Sequence, residues 1–270
     1  MLKGIAKLVR YYILTSTTAA GSGHPTSSLS AVELMVGLLF ADFRLGFDRL
    51  IFSKGHAAPL LYSLFTAAGL LSKQELMSLR KFKSPIEGHA RPNFPYAEVA
   101  SGSLGQGLSV GLGMALNSQY LDKTKYLNFV LLGDSELAEG SNWEAIQLAS
   151  YYQLKTLIGI LDVNRIGQSN PTMLEWKTAS YAKRIHAFGW QTKIINGHDF
   201  TQIASAYALA GKTDRPLMII AKTVKGKGVS FLENQPNWHG KSLPDNLYQK
   251  AIQELGPINW QLKCSIKRAN

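Results

Sequence analysis

Cysteine is nearly absent from the 270 residues: Cys264, in the terminal tail, is the single one. A disulfide framework is therefore excluded, and a reducing cytoplasm is the simplest compartment. No apolar run approaches the roughly eighteen residues a membrane-spanning helix needs, so no membrane partner is expected. The amino-terminal stretch "MLKGIAKLVRYYILTSTTAA" superficially resembles a signal peptide. Lys3, Lys7 and Arg10 interrupt it at helical spacing, which predicts an amphipathic first helix instead. Acidic residues are scarce, 18 against 29 Lys and Arg, for a formal charge of +11. The basic residues are scattered, however, and the densest run is only "KTVKGKG", 222–228. Without zinc spacing, an RNP-like aromatic signature or a basic helix, no nucleic-acid partner is expected. An anionic small molecule or an acidic protein explains the sign as well. Repeats, low-complexity segments and linkers before about residue 240 are also lacking. With 46% hydrophobic and 17% charged residues, the chain is not disordered and can bury a full core.

What is present is an alternation of strand and helix. Short apolar runs at 127–133, 156–162 and 216–223 have the length and branching of buried strands. Ser30–Glu33, Ser72–Glu75 and Ser141–Glu144 have the form of capping boxes, each predicting a helix start. The order implies an α/β fold, a parallel sheet sandwiched between helices, with ligands beyond the carboxyl ends of the strands. Asp134 then sits at that edge in "LLGDSELAEGSNWEA", and Asn164 sits one strand along in "LDVNRIGQSN". A carboxylate, an amide oxygen and a backbone carbonyl are hard ligands suited to Mg²⁺ or Ca²⁺. Equally, Asp134 could cap the turn and Asn164 make an Asx-turn. Of six histidines, His24, His56, His89, His198 and His239 adjoin a glycine, which lets an imidazole approach a ligand. No pair has the i,i+4 spacing of a helical zinc site. His186 reads as structural. The glycines of "ASGSLGQGLSVGLGMA" are in the wrong order for a dinucleotide fingerprint, but the first group could present backbone N–H groups at a helix start.

Taken together, "GSGHPTSSLSAVELM", "FSKGHAAPLLY", "EGHARP", "SGSLGQGLS", "GDSELAEGSNWEA", "LDVNRIGQS" and "AKTVKGKG…WHGK" resemble the amino-terminal third to half of transketolase. The match is collinear over about 5–245 and closer to the animal-type branch than to the common bacterial type. The resemblance implies the diphosphate-binding domain of the thiamine-diphosphate fold, over 1–240, with 241–270 as an extension. It implies thiamine diphosphate and Mg²⁺ (or Ca²⁺) as cofactors. Asp134, Asn164 and the Ile166 carbonyl would hold the cation. Gly102, Ser103 and Leu104 would line the cofactor, while Ser27, His56 and Lys225 would contact it or its phosphates. Asn164 and His239 would also reach the cofactor, and the Ser135 N–H would approach a phosphate. His24, His89 and His239 would surround the reacting sugar, and Glu139 would reach across a dimer interface. Glu136 is left to solvent or a local hydrogen bond.

Two departures follow from the same comparison. The family reads Gly-Asp-Gly where this chain has Ser135 in the third position, which predicts weakened rather than lost cofactor affinity. The loop "FADFRLGFDRLIFS" is several residues shorter than its counterpart, which reshapes the outer rim. A complete transketolase is also more than twice as long and carries a pyrimidine-binding domain with the glutamate that activates the cofactor. The expectation is the amino-terminal subunit of a split transketolase, completed by a separate pyrimidine-domain chain as a homodimer or A2B2 heterotetramer. It would transfer a two-carbon ketol unit between phosphorylated sugars, in pentose phosphate metabolism. Alternatives are a related ketol transferase with a different sugar, or a non-catalytic cofactor-binding remnant.

Overall fold

The computed structural model describes residues 1–262 and 264–269. The first helix, α1 (Leu2–Ala19), buries Ile5, Val9, Ile13 and Leu14 on one face, as the lysine spacing predicted. Two short helices follow, α2 (Pro25–Ser30) and α3 (Val32–Gly37), and a π-helical turn (Leu38–Asp42) leads into strands β1 (Arg44–Leu45) and β2 (Arg49–Phe52). Helices α4 (Ala58–Ala67) and α5 (Lys73–Leu76) precede a long irregular stretch, and α6 (Gln106–Leu116) ends in a second π-helical turn. The order then becomes β3 (Asn128–Gly133), α7 (Gly140–Tyr151), β4 (Leu157–Val163), α8 (Thr178–Ala187), β5 (Gln191–Asn196), α9 (Phe200–Tyr207) and β6 (Leu217–Lys222). Helix α10 (Asp245–Leu255) and strand β7 (Lys267–Arg268) follow.

One sheet is five-stranded and wholly parallel, in the order β2-β3-β4-β6-β5. Its central strands are buried along their whole length, as continuous apolar runs require when both faces are covered. Alternate residues feed two cores. Phe129, Leu131, Ile158 and Ile160 face the layer of α1, α3, α4 and α9. Val130, Leu132, Leu161 and Met218 face the layer of α6, α7 and α8. All strands run the same way, so Lys54, Asp134, Asn164, His198 and Lys225, each just past a strand, gather on one edge.

The Ser72–Glu75 capping box forms, with both reciprocal bonds present. The other two boxes do not. Ser30 ends α2 and donates to Asp162, while Glu33 binds Arg10 and His198. Helix α7 starts at Gly140, and Ser141 Oγ donates to the Gly105 carbonyl at 2.9 Å. Tertiary partners outcompete the local cap in both cases. Strands β2 and β5 carried no sequence signal, being short or half-exposed at the sheet edges. In the carboxyl-terminal tail, β7 pairs with β1 and Ile266 is buried; the part of the tail reading that falls on Lys263 and Asn270 lies outside the described residues. Among the described residues, no helix is long and apolar enough to cross a membrane.

Candidate functional site

A cavity of about 310 Å³ opens at the carboxyl edge, lined by Ser27, His56, Leu104, Asp134, Asn164 and His239 among others. Ser135, Glu139 and Ile166 also line it, so residues scattered over more than two hundred positions meet in one place. Adjacent parallel strands β3 and β4 explain the core of it. Gly133 pairs with Asp162 in register, and the next turns deliver Asp134 and Asn164 side by side.

Asp134 is 6% exposed. Its Oδ2 accepts the Arg165 N–H at 2.8 Å and the Thr172 hydroxyl at 3.2 Å, and its Oδ1 accepts the Ser135 N–H at 3.0 Å. Burial, reinforced by the Asp162 charge, pushes its carboxyl up to about 6. Asn164 Oδ1 accepts the Ile166 N–H at 3.2 Å, so the Asx-turn is present. That turn does not exclude a ligand role, because the amide oxygen keeps a second lone pair. Among the described residues no cluster of three or more His, Cys, Asp or Glu could hold a metal. A cation here would instead rest on one carboxylate, one amide oxygen and the Ile166 carbonyl, a hard-oxygen set.

Two buried cations flank the cavity. Lys54, 1% exposed, pairs with the fully buried Asp162, which also accepts from Ser30 and Thr223. Burial alone would raise the Asp162 pKa, but Lys54 together with the Ser30 and Thr223 hydroxyls holds the carboxyl below its usual range. Lys225, also 1% exposed, has no carboxylate partner among the described residues. Its Nζ donates to the carbonyls of Gly167 at 2.7 Å and Ile166 at 3.2 Å, and to His239 Nδ1 at 3.0 Å. Burial and the nearby Lys54 push it down to about 8. Asp134 and Asp162 partly offset its charge, but a buried ammonium with no carboxylate in contact favours an anion beside it.

The imidazoles cluster. Ring centroids of His24 lie 5.0 Å from His239, 5.4 Å from His56 and 6.1 Å from His89. Burial first, then surrounding positive charge, lowers all four, His24 and His239 to about 4, so they are neutral at pH 7. His24 Nδ1 is buried and has no hydrogen-bond partner among the described residues. Gly102, at φ 122°, passes beneath His89, where an added Cβ would lie 3.1 Å from the ring. Ser103 and Leu104 follow it, exposed at the mouth.

Of the two expectations for Glu136, the local hydrogen bond is present and solvent exposure is not. It is 1% exposed, and its carboxylate accepts from Gly133 N at 3.1 Å and, from farther along the chain, from Ser53 Oγ at 2.5 Å and Gly105 N at 3.0 Å. It ties the glycine loop to the ends of β2 and β3. Ser135 has φ −66° and ψ −42°, ordinary helical values that need no glycine. Glu139 is exposed at the rim, and His186 is on the surface of α8. Lys54, Asp162 and Glu136 were missed because burial of a charge is invisible in the sequence.

Residues 2–263 match the family described as "Transketolase, thiamine diphosphate binding domain". The chain is 46% identical over 262 residues to the transketolases of Homo sapiens and Pongo abelii, covering 94% of this chain and 42% of each relative. It is 44% identical to transketolase-like protein 2 of Bos taurus over the same coverage. Transketolase from Campylobacter jejuni superposes with a TM-score of 0.88 at 32% identity, covering 94% of this chain and 42% of that one. A Pichia stipitis transketolase complexed with sedoheptulose-7-phosphate superposes at 0.84 and 29% identity, covering 97% and 41%. The chain thus spans well under half the length of these relatives.

Proposed function

Because the chain belongs to the transketolase family, in its thiamine-diphosphate-binding domain, we propose that it holds the diphosphate end of thiamine diphosphate for ketol transfer between phosphorylated sugars. The observation that carries this is Lys225: a buried ammonium that no carboxylate contacts among the described residues, beside the hard oxygens of Asp134, Asn164 and Ile166. The donor set fits Mg²⁺ or Ca²⁺, and the cation with Lys225 would neutralise a diphosphate. When bound, the cofactor would supply the carbanion chemistry that breaks a carbon–carbon bond beside a ketose carbonyl.

The chain's own residues do the rest. Gly102, Ser103, Leu104 and Ser135 would line the cofactor through backbone atoms, and Ser27 and His56 would contact it. Neutral His24, His89 and His239 can each offer one donor and one acceptor to sugar hydroxyls and carry protons at an imidazole nitrogen. Their low pKa values keep them from being trapped as imidazolium. We propose further that a second polypeptide supplies a pyrimidine-binding domain, assembled as a homodimer or A2B2 heterotetramer in the cytoplasm, with Glu139 reaching over the interface.

Asp134→Ala tests the site. Since even groups that only hydrogen-bond a metal's ligands are worth about 10–100-fold in affinity, loss of this ligand should weaken Mg²⁺-dependent thiamine diphosphate binding by at least about 100-fold in calorimetry. Unchanged affinity and metal dependence would sink the assignment. Co-purification with a pyrimidine-domain chain, followed by a ketol-transfer assay, tests the two-chain form; binding of cofactor without activity in the assembled complex would leave a non-catalytic remnant.

A further inference from the structure

Of the glycine-flanked histidines, His198 stands away from the cavity. It lies between β5 and α9, and only 14% of its side chain is exposed. Its Nε2 is 2.9 Å from the Val224 N–H, and its Nδ1 is 3.0 Å from Glu33 Oε2. A backbone N–H can only donate, so Nε2 is bare and the proton sits on Nδ1, donated to the carboxylate. Glu33 is in turn held by Arg10, whose Nη2 lies 2.7 Å from Oε1 and 2.8 Å from Oε2. Arg10 also extends past Glu33, where its Nε donates to the Lys227 carbonyl at 2.9 Å.

Two arms thus leave one buried carboxylate on α3 and grip a single turn, at positions 224 and 227. Lys225 lies between the grips. The segment is tight: an added Cβ on Gly228 would fall 2.6 Å from Arg10 Nε, and one on Gly197 would fall 2.4 Å from Thr223 Cγ2. The Gly226 N–H reaches the Thr26 carbonyl, and the Asn234 N–H reaches that of Lys225. Neither satisfies Val224.

We infer that Arg10, Glu33 and His198 form a brace that positions Lys225 for a phosphate-bearing ligand, with His198 as a positioning residue. The inference rests on the proposed diphosphate site, because Lys225 has a ligand to meet only if that site binds one. No residue of the brace lines that cavity. Its effect passes through the backbone of the turn, and the direction of the imidazole hydrogen bonds is essential to it.

The test compares the parent with His198→Ala and His198→Gln in the full chain. Glutamine can accept the Val224 N–H through its oxygen and donate to Glu33 through its nitrogen. Amide hydrogen exchange over 223–228 is measured without ligand, and thiamine diphosphate affinity with Mg²⁺ by calorimetry. Loss of one hydrogen bond to the turn should speed exchange and weaken affinity in the alanine variant, each by about tenfold, with glutamine restoring both to within about threefold. If alanine at this site prevents folding, His198→Leu replaces it in the comparison. Unchanged exchange, faster exchange with unchanged affinity, or a glutamine variant no better than alanine would each overturn the brace. A parent that binds no thiamine diphosphate would remove the proposed function, and with it the ligand-positioning role of the brace, whereas a binding parent with unaffected variants would overturn the brace alone.

Discussion

Glu136 accepts three hydrogen bonds on one buried carboxylate, and its removal would strand Ser53 Oγ and the amides of Gly105 and Gly133. Glu136→Ala should cost about 3 kcal/mol or more, since each buried orphan costs roughly 1–3 kcal/mol, read from the urea midpoint. A loss below about 1 kcal/mol would mean that water replaces the carboxylate. The histidine cluster makes stability depend on pH. An unfolded chain protonates these imidazoles as pH falls through 6.5, whereas native His24 and His239 stay neutral down to about 4. The unfolded state therefore binds more protons in that window, and stability falls from pH 6.5 toward 4. Asp134 and Glu136, raised by burial, act in the opposite direction, but four lowered imidazoles outnumber them. Replacing His24 and His239 together by Asn should flatten the decline in urea midpoint between pH 6.5 and 4.5; an unaltered slope would show that other groups set it.

The three S-x-x-E stretches are the same in sequence and different in use. Ser72 caps α5 at the surface, with Glu75 N donating to its hydroxyl at 3.0 Å and its own N–H donating to Glu75 at 2.8 Å. Ser141 instead holds the carbonyl of Gly105, itself at φ 84°. Ser72→Ala should cost about 1 kcal/mol of stability and leave cofactor affinity unchanged. Ser141→Ala should loosen the loop that ends at Gly105 and weaken cofactor binding. Equal effects of the two substitutions on affinity would contradict the distinction. Edge strands show the converse: β5 reads "QTKIIN" and exposes Ile194 at 44%, so it lacks the continuous apolar run by which β3, β4 and β6 were found.

One face of the molecule remains apolar and open. Tyr151 is 78% exposed, Leu121 75%, Tyr120 53% and Leu148 44%. Tyr152 joins them, its ring centroid 5.0 Å from Tyr151 and 6.2 Å from Tyr120. A contiguous patch of this kind favours association. The proposed oligomer should therefore weaken in a Leu148→Lys, Tyr151→Lys double variant, seen as a shift to smaller species in sedimentation velocity. An unshifted distribution would place the interface elsewhere. Near the carboxyl end, Cys264 donates to the Ala67 carbonyl at the end of α4 and α10 packs on α1, which ties the last helix and Cys264 back to the amino-terminal helices.

Apolar patterning determined the parallel α/β class, the three central strands and the amphipathic first helix, because buried strands leave short continuous apolar runs and a helix face leaves a 3.6-residue repeat. Strand ends also placed Asp134 and Asn164 on one edge, since parallel strands share their direction. Motif resemblance supplied the histidines, Lys225 and the glycine loop as a set. Which charges are buried was decided only by tertiary structure: Lys54 with Asp162, Glu136 beneath the glycine loop, and Arg10, Glu33 and His198 beside Lys225 join residues up to 217 positions apart. Local sequence carries no record of such pairs, because the stability of each buried charge depends on a partner that the fold alone brings within reach.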